Sequence, residues 1–554
     1  MPLAIFGPLD WGVVLAYFAL VTFVGLAVAR KEQDEKEYFL GNRSMPAWAV
    51  AISIVATMLS AATFVSVPDN AFAGDLSYLI LTTGGILAVI IVAFLFVPRL
   101  YRAGTVTIYG YLAQRFGESA RVAMSCAFIF GRMLGSGARL FLAAIPLCLL
   151  IFGFHQKQSA GPYTPTLAQL IVAIVVITAV GTFYTTMGGV RAVVWVDCIQ
   201  FAIVIGAAFL TIGILLHRIP LNPGEIVHLL ANSPSNNPGG HSKLFLVDTS
   251  FNFQKPYTLW AGIFGAVFLH TAAYGVDQDL AQRFLVSKSV VRGGISVIMS
   301  QLIAIATITL FLCIGMLLYV FYKRPEVMHA THAYPGQQGL SVYPWFLLTE
   351  LPTVLSGIAI AGFFAVAQGS MDSAMNALAS SIVADLYVPM RRRMGHDMGD
   401  VTSGEASKLT VALVGLVLCL FAILCAMVYN PKSQTLLDFA LGVLTFAFAG
   451  MLGVFLTALL TNRGSSGSVI AALIAGVLTV VLLQDGILGW WSGLLFGAHW
   501  KLAWPWWMPI GTAVSFGVCQ LGKTHRGPVG GFPVLPPVAR TATADEPTNE
   551  LVRE

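Results

Sequence analysis

The octapeptide GSMDSAMN, Gly369 to Asn376, places a carboxylate, two hydroxyls and an amide inside an apolar run from Val354 to Leu386. An ionisable side chain in a membrane helix costs about 2.5–3.5 kcal/mol on insertion scales, so it faces a partner or a cavity rather than lipid. On a helix, Gly369, Ser373, Asn376 and Ser380 recur at steps of four, three and four, and Ser370, Ser373 and Ala377 form an overlapping stripe. One narrow face is therefore small and rich in oxygen. A face of Gly, Ala and Ser alone would read as a close-packing seam between helices. Asp372 adds a charge to it. Hydroxyl, carbonyl and carboxylate oxygens suit a hard cation stripped of water, and the face has no His or Cys for zinc or iron, so an alkali cation such as sodium is expected.

A cation site also needs carbonyls released from helical hydrogen bonds. SIVATMLSAATF, Ser53 to Phe64, carries Thr57, Ser60 and Thr63 at i, i+3 and i+6, followed by Pro68, Asp69 and Asn70. That clustering predicts a helix interrupted at mid-membrane, with its broken turn lining a site. The other ionisable groups within apolar runs are Arg132, Arg139 and Asp197. Asp197 lies near the end of its run and either joins a buried site or reaches interfacial water. Arg132 and Arg139 are seven apart and share a helical face. If that face looks into a cavity beside Ser60 and Thr63, a guanidinium fork there would hold a solute carboxylate. The other reading pairs one arginine with a structural acid or with backbone carbonyls and lets its companion snorkel to the interface. A small organic anion is the expected solute, with a neutral sugar, polyol or amino acid as the alternative.

The elements that position these groups follow from composition. Of 554 residues, 57% are hydrophobic and 10% charged, which excludes an ordinary water-exposed globule and makes the lipid bilayer the solvent. About thirteen apolar runs are long enough to cross a membrane, from Trp11–Ala29 to Trp506–Leu521, and the short alternation of a membrane β-barrel is missing. The fold class is therefore an all-α polytopic membrane protein. Arg30, Lys31, Lys36 and Arg43 follow the first run, and basic residues such as Arg99, Arg102, Arg191, Arg283, Arg391 and Arg463 recur at every second loop. This places the amino terminus outside and the carboxyl terminus in the cytoplasm of a plasma (inner) membrane. The net charge of +5 reports that topology and gives no support to a nucleic-acid partner. All seven cysteines fall in apolar runs, so no external disulfide framework is expected. His329 and His332 read as a solvated loop, since a metal would require further ligands. No His/Glu zinc motif or Ser/His pair occurs at helical spacing within the runs, so an enzyme is not expected.

Helix parity fits an inverted pair of repeats. The expected division is 1–44 (first helix and loop), 45–218 (first repeat), 219–256 (external loop), 257–462 (second repeat), 463–521 (two further helices) and 522–554 (a disordered cytoplasmic tail). Four segments, YFLGNRSMPAWAVAISIVATMLSAATF (Tyr38–Phe64), TTMGGVRAVVWVDCIQ (Thr185–Gln200), DQDLAQRFLVSKS (Asp277–Ser289) and GSMDSAMNALASSIVADLY (Gly369–Tyr387), resemble the sodium:solute symporter family. The resemblance implies the LeuT-type inverted-repeat fold. It implies a first sodium site made of the carbonyls of Ala56, Leu59 and Val366 with side chains at Gly369 and Ser370. Many relatives carry serine where this chain has Gly369, so one ligand is lost or replaced by water. A second cation site, found in some members, would involve Asp197, Asp372 and Ser373. Two acids in one region repel unless a cation or proton lies between them, which leaves proton coupling open beside sodium. The activity so implied is sodium-coupled import of a small solute by alternating access. A transport-dead membrane sensor of the same fold is the alternative of a different class, and the sequence fits a monomer or a homo-oligomer equally.

Overall fold

The computed structural model describes residues 6–28, 35–152, 166–236, 240–329, 334, 341–395, 404–428 and 435–523. The expected tail, from residue 524 onward, and His332 lie outside these residues. Among the described residues the chain is helical, with a helix in every apolar run. Among the described residues, seven helices are long and apolar enough to cross a membrane singly, and the number rises to nine if each of two bent pairs is one span.

The run containing Ser53–Phe64 is broken as its polar stripe predicts. Ala47–Met58 and Ala61–Ala73 are separate half-helices, and the membrane-crossing segments on either side of the break are bent by 68°. Leu59 (ψ 129°) and Ser60 (ψ 163°) are extended. The last helical bond of the leading half runs from Leu59 N to the Val55 carbonyl, and the trailing half begins anew with the Ser60 hydroxyl accepting from Thr63 N at 3.3 Å. A serine at this position is a favoured N-cap, so the break is locally encoded.

Leu167–Arg218 is 52 residues long, about 78 Å if straight, against a hydrocarbon core of about 30 Å. It turns instead at Gly189 (φ 55°, ψ −162°), where a Cβ would lie 2.7 Å from the Tyr38 carbonyl. This single element thus supplies the two expected runs on either side of the turn.

A second break, which hydropathy did not reveal, separates Val267–Val276 from Gln278–Leu285. Asp277 is extended (ψ 117°), and its carboxylate accepts from Asp279 N at 3.0 Å. The Leu355–Ser381 helix lies among these parts, in contact with the first helix (Pro8–Val28), Leu167–Arg218 and both broken helices. From Ala359 to Ser381 every residue is buried, so the polar octapeptide faces protein on all sides.

The expected external loop also has structure of its own. It contains the Pro223–Ala231 helix and the buried Lys243. Lys243 Nζ donates to the carbonyls of Ala71, Phe72 and Gly74 at 3.2, 2.7 and 2.8 Å, and lies 4.2 Å from the Tyr319 ring centre. These carbonyls end the trailing half-helix, where a cation is favoured by the helix dipole. Lys243→Met is expected to destabilise the fold by about 1–3 kcal/mol, because it strands buried carbonyls. The measurement is the thermal unfolding midpoint of detergent-purified protein.

Candidate cation and solute sites

The broken turn at Leu59–Ser60 releases the Ala56 carbonyl, since Ser60 N does not continue the helical series. Opposite it stands Gly369, with no side chain to fill the gap. A Cβ there would lie 2.9 Å from Gln200 Oε1, 3.6 Å from Asp197 Oδ1 and 3.7 Å from the Ala56 carbonyl. Both side-chain oxygens are buried and have no hydrogen-bond partner among the described residues. Acceptors from two distant segments, Ala56 on one and Asp197 with Gln200 on the other, therefore converge beside Gly369, and neither side-chain oxygen has a donor among the described residues. Such a cluster fits a bare monovalent cation, which satisfies several oxygens at once.

The other carboxylate oxygen of Asp197 is held. Ser53 Oγ donates to Oδ2 at 2.5 Å, and Arg283 Nη2 lies 3.7 Å from the same atom. Arg283 also donates to Ser373 Oγ, which is 2.9 Å from Thr57 Oγ1. The structure thus brings Asp197 and Ser373 together, joined by a guanidinium. Asp372 points elsewhere, with Oδ1 packed where a Cβ on Gly181 would stand, 2.8 Å away. Its two oxygens have no partner among the described residues. Ser370 Oγ donates to the Ala367 carbonyl at 3.1 Å, which leaves its lone pairs available as acceptors.

The two arginines part company. Arg132 donates to Asp277 Oδ2 at 2.9 Å and pairs with Asp279, so it fastens the Glu118–Phe152 helix to the second break. Of the two readings open for Arg132, the structure shows the pairing with structural acids: its guanidinium meets two buried carboxylates. Arg139, seven residues further and thus about 10 Å along the helix, forms no ion pair among the described residues. Ser60 and Thr63, the polar residues expected beside it, have their hydroxyls 3.3 Å apart on the trailing half-helix, which packs against the helix carrying Arg139.

Several contributors escaped the sequence reading. Gln200 follows Asp197 by three and so shares its helical face, a signal present in DCIQ. Asp277 heads an Asp-x-Asp pattern that suits a cap. Ser53, Tyr17 and Arg283 reach their partners from sequence separations of 144, 351 and 90 residues, and local pattern carries no sign of them.

Two broken helices around a buried, acceptor-lined centre are the arrangement a membrane transporter uses to expose backbone groups that can bind an ion. Residues 38–476 match the model of the sodium:solute symporter family, and the chain belongs to that family. It is a transporter rather than an enzyme, and sodium is its coupling ion. It is 25% identical over 491 residues to the sodium/sialic acid symporter of Proteus mirabilis, covering 88% of this chain and 91% of the relative. It is 26% identical over 446 residues to the human sodium-coupled monocarboxylate transporter 1, covering 80% and 67% respectively. A solved sodium-coupled sialic acid symporter in a substrate-bound outward-open state shares the fold, with a TM-score of 0.74 at 23% identity, covering 93% of this chain and 97% of that one.

Removing Arg132 strands two buried carboxylates, and Arg132→Ala is therefore expected to lose about 3–5 kcal/mol of stability. Thermal unfolding without solute reads this directly. A solute-binding role would leave that midpoint unchanged and lower only the affinity for solute.

Proposed function

We propose that the protein imports a small organic anion across a plasma (inner) membrane, driven by sodium entering at the broken turn, with Arg139 receiving the solute carboxylate. The observation that carries this reading is the division of labour between the arginines. Arg132 is neutralised by Asp277 and Asp279, whereas Arg139 keeps an uncommitted charge on the same helix face among the described residues. Sialic acid and monocarboxylates, the solutes in the relatives' names, are likewise carboxylates.

The ion site in this reading comprises the carbonyls of Ala56, Leu59 and Val366, the Ser370 hydroxyl and the Asp197 carboxylate, and of these Ala56 and Asp197 meet at Gly369. Ser373 borders it through Arg283, Asp372 lies apart against Gly181, and Ser60 and Thr63 line the solute side. One positive charge moving inward through 100 mV releases about 2.3 kcal/mol, enough for roughly fortyfold accumulation of a neutral solute. A monovalent anion carried with a single sodium ion moves no net charge, so a second cation is needed before the potential contributes. The sodium gradient drives uptake in either case. The topology that accompanies this reading has the amino terminus outside and the carboxyl terminus inside, from the distribution of Lys and Arg. Repeats over 45–218 and 257–462 are supported by the breaks at Leu59–Ser60 and Asp277, one in the first helix of each.

Uptake into proteoliposomes under an inward sodium gradient tests the proposal with a panel of labelled carboxylates, sugars and amino acids. Arg139→Ala is expected to weaken the apparent affinity for the transported carboxylate by about tenfold to a hundredfold, as loss of a charge-assisted contact requires. Unchanged uptake by Arg139→Ala, or transport confined to neutral solutes, would remove the carboxylate assignment.

A further inference from the structure

We propose that the amide oxygen of Gln200, aimed by Tyr17 of the first helix, is a ligand of the bound sodium ion and replaces the hydroxyl that Gly369 does not supply. This rests on the sodium-site reading above and adds a ligand to it. Gln200 Oε1 and Asp197 Oδ1 are both buried and without partners, and both face Gly369 beside the Ala56 carbonyl. Acceptors set side by side repel, and a cation among them removes that repulsion. Glycine is what lets the amide in: a Cβ at 369 would stand 2.9 Å from Oε1.

The orientation of the amide is set from outside the inverted repeats. Tyr17 has a single proton, and its hydroxyl donates to Gln368 Oε1 at 2.7 Å. Its lone pairs accept from Gln200 Nε2 at 3.3 Å. The nitrogen of Gln200 is therefore committed to Tyr17, and the oxygen is left for the site. All three residues lie in the buried interface where the Pro8–Val28 helix packs against Leu167–Arg218 and Leu355–Ser381. Tyr17 is thus a positioning residue for an ion that it does not touch.

The test is a sodium titration of the purified full-length protein, read by its thermal unfolding midpoint, with choline chloride holding ionic strength constant. Wild-type protein is expected to rise in midpoint with sodium and not with choline. No rise in wild type would overturn the sodium-site reading itself rather than the role of Gln200. Given that rise, Gln200→Ala and the bulkier Gln200→Met are expected to raise the sodium concentration for half-maximal shift by about tenfold to a hundredfold. The double variant Gln200→Ala with Gly369→Ser is expected to recover most of the loss, because it restores an oxygen from the other side. Tyr17→Phe is expected to weaken sodium by about threefold to tenfold alone and to add nothing to Gln200→Ala. Wild-type sodium response in folded Gln200→Ala and Gln200→Met would overturn the proposal, as would full additivity of Tyr17→Phe with Gln200→Ala.

Discussion

A carbonyl without its helical partner is the constraint on which the rest of this protein depends. In lipid, a free backbone acceptor has no water to turn to, so a helix broken at mid-membrane must be enclosed by protein and supplied with something positive. The turn at Leu59–Ser60 creates that need at the Ala56 carbonyl. The Leu355–Ser381 helix, buried without a lipid-facing side over most of its length, encloses it. Asp197 and Gln200 bring further acceptors rather than donors, so a mobile cation is the natural partner.

The second break shows the other solution to the same difficulty. At Asp277 the opened helix is secured by protein alone, through its own aspartate cap and the guanidinium of Arg132. One break is closed by a resident cation, and in the proposed reading the other is closed by a diffusible one. That contrast separates a structural hinge from a transport site: a fixed ion pair holds geometry, whereas a ligand that comes and goes shifts the balance between conformations. The buried Lys243 extends the scheme to the end of the first broken helix, where its ammonium caps three carbonyls.

The architecture also shows how a residue of the first helix reaches the proposed ion site. The first helix contributes Tyr17, whose hydroxyl links Gln200 and Gln368 on two different helices. Gly189 and Gly369 act by omission: a side chain at either would meet the Tyr38 carbonyl or the Gln200 amide. Close approach of this kind is how membrane helices pack when lipid provides no hydrophobic drive.

What the sequence determined by itself was local. Apolar length located the helices, the hydroxyls around Ser60 marked the first break, and an aspartate in GSMDSAMN declared a polar face that lipid would not tolerate. Periodicity put Arg132 and Arg139 on one face but left their roles indistinguishable, because the acids that single out Arg132 lie well over a hundred residues away along the chain. Only the tertiary structure decided that Arg132 belongs to Asp277 and Asp279, that Asp372 packs against Gly181, and that Gln200 meets Asp197 at Gly369. The reason is physical: helix formation follows short-range pattern, whereas the neutralisation of a buried charge depends on which distant segment the packing brings within about 3 Å of it.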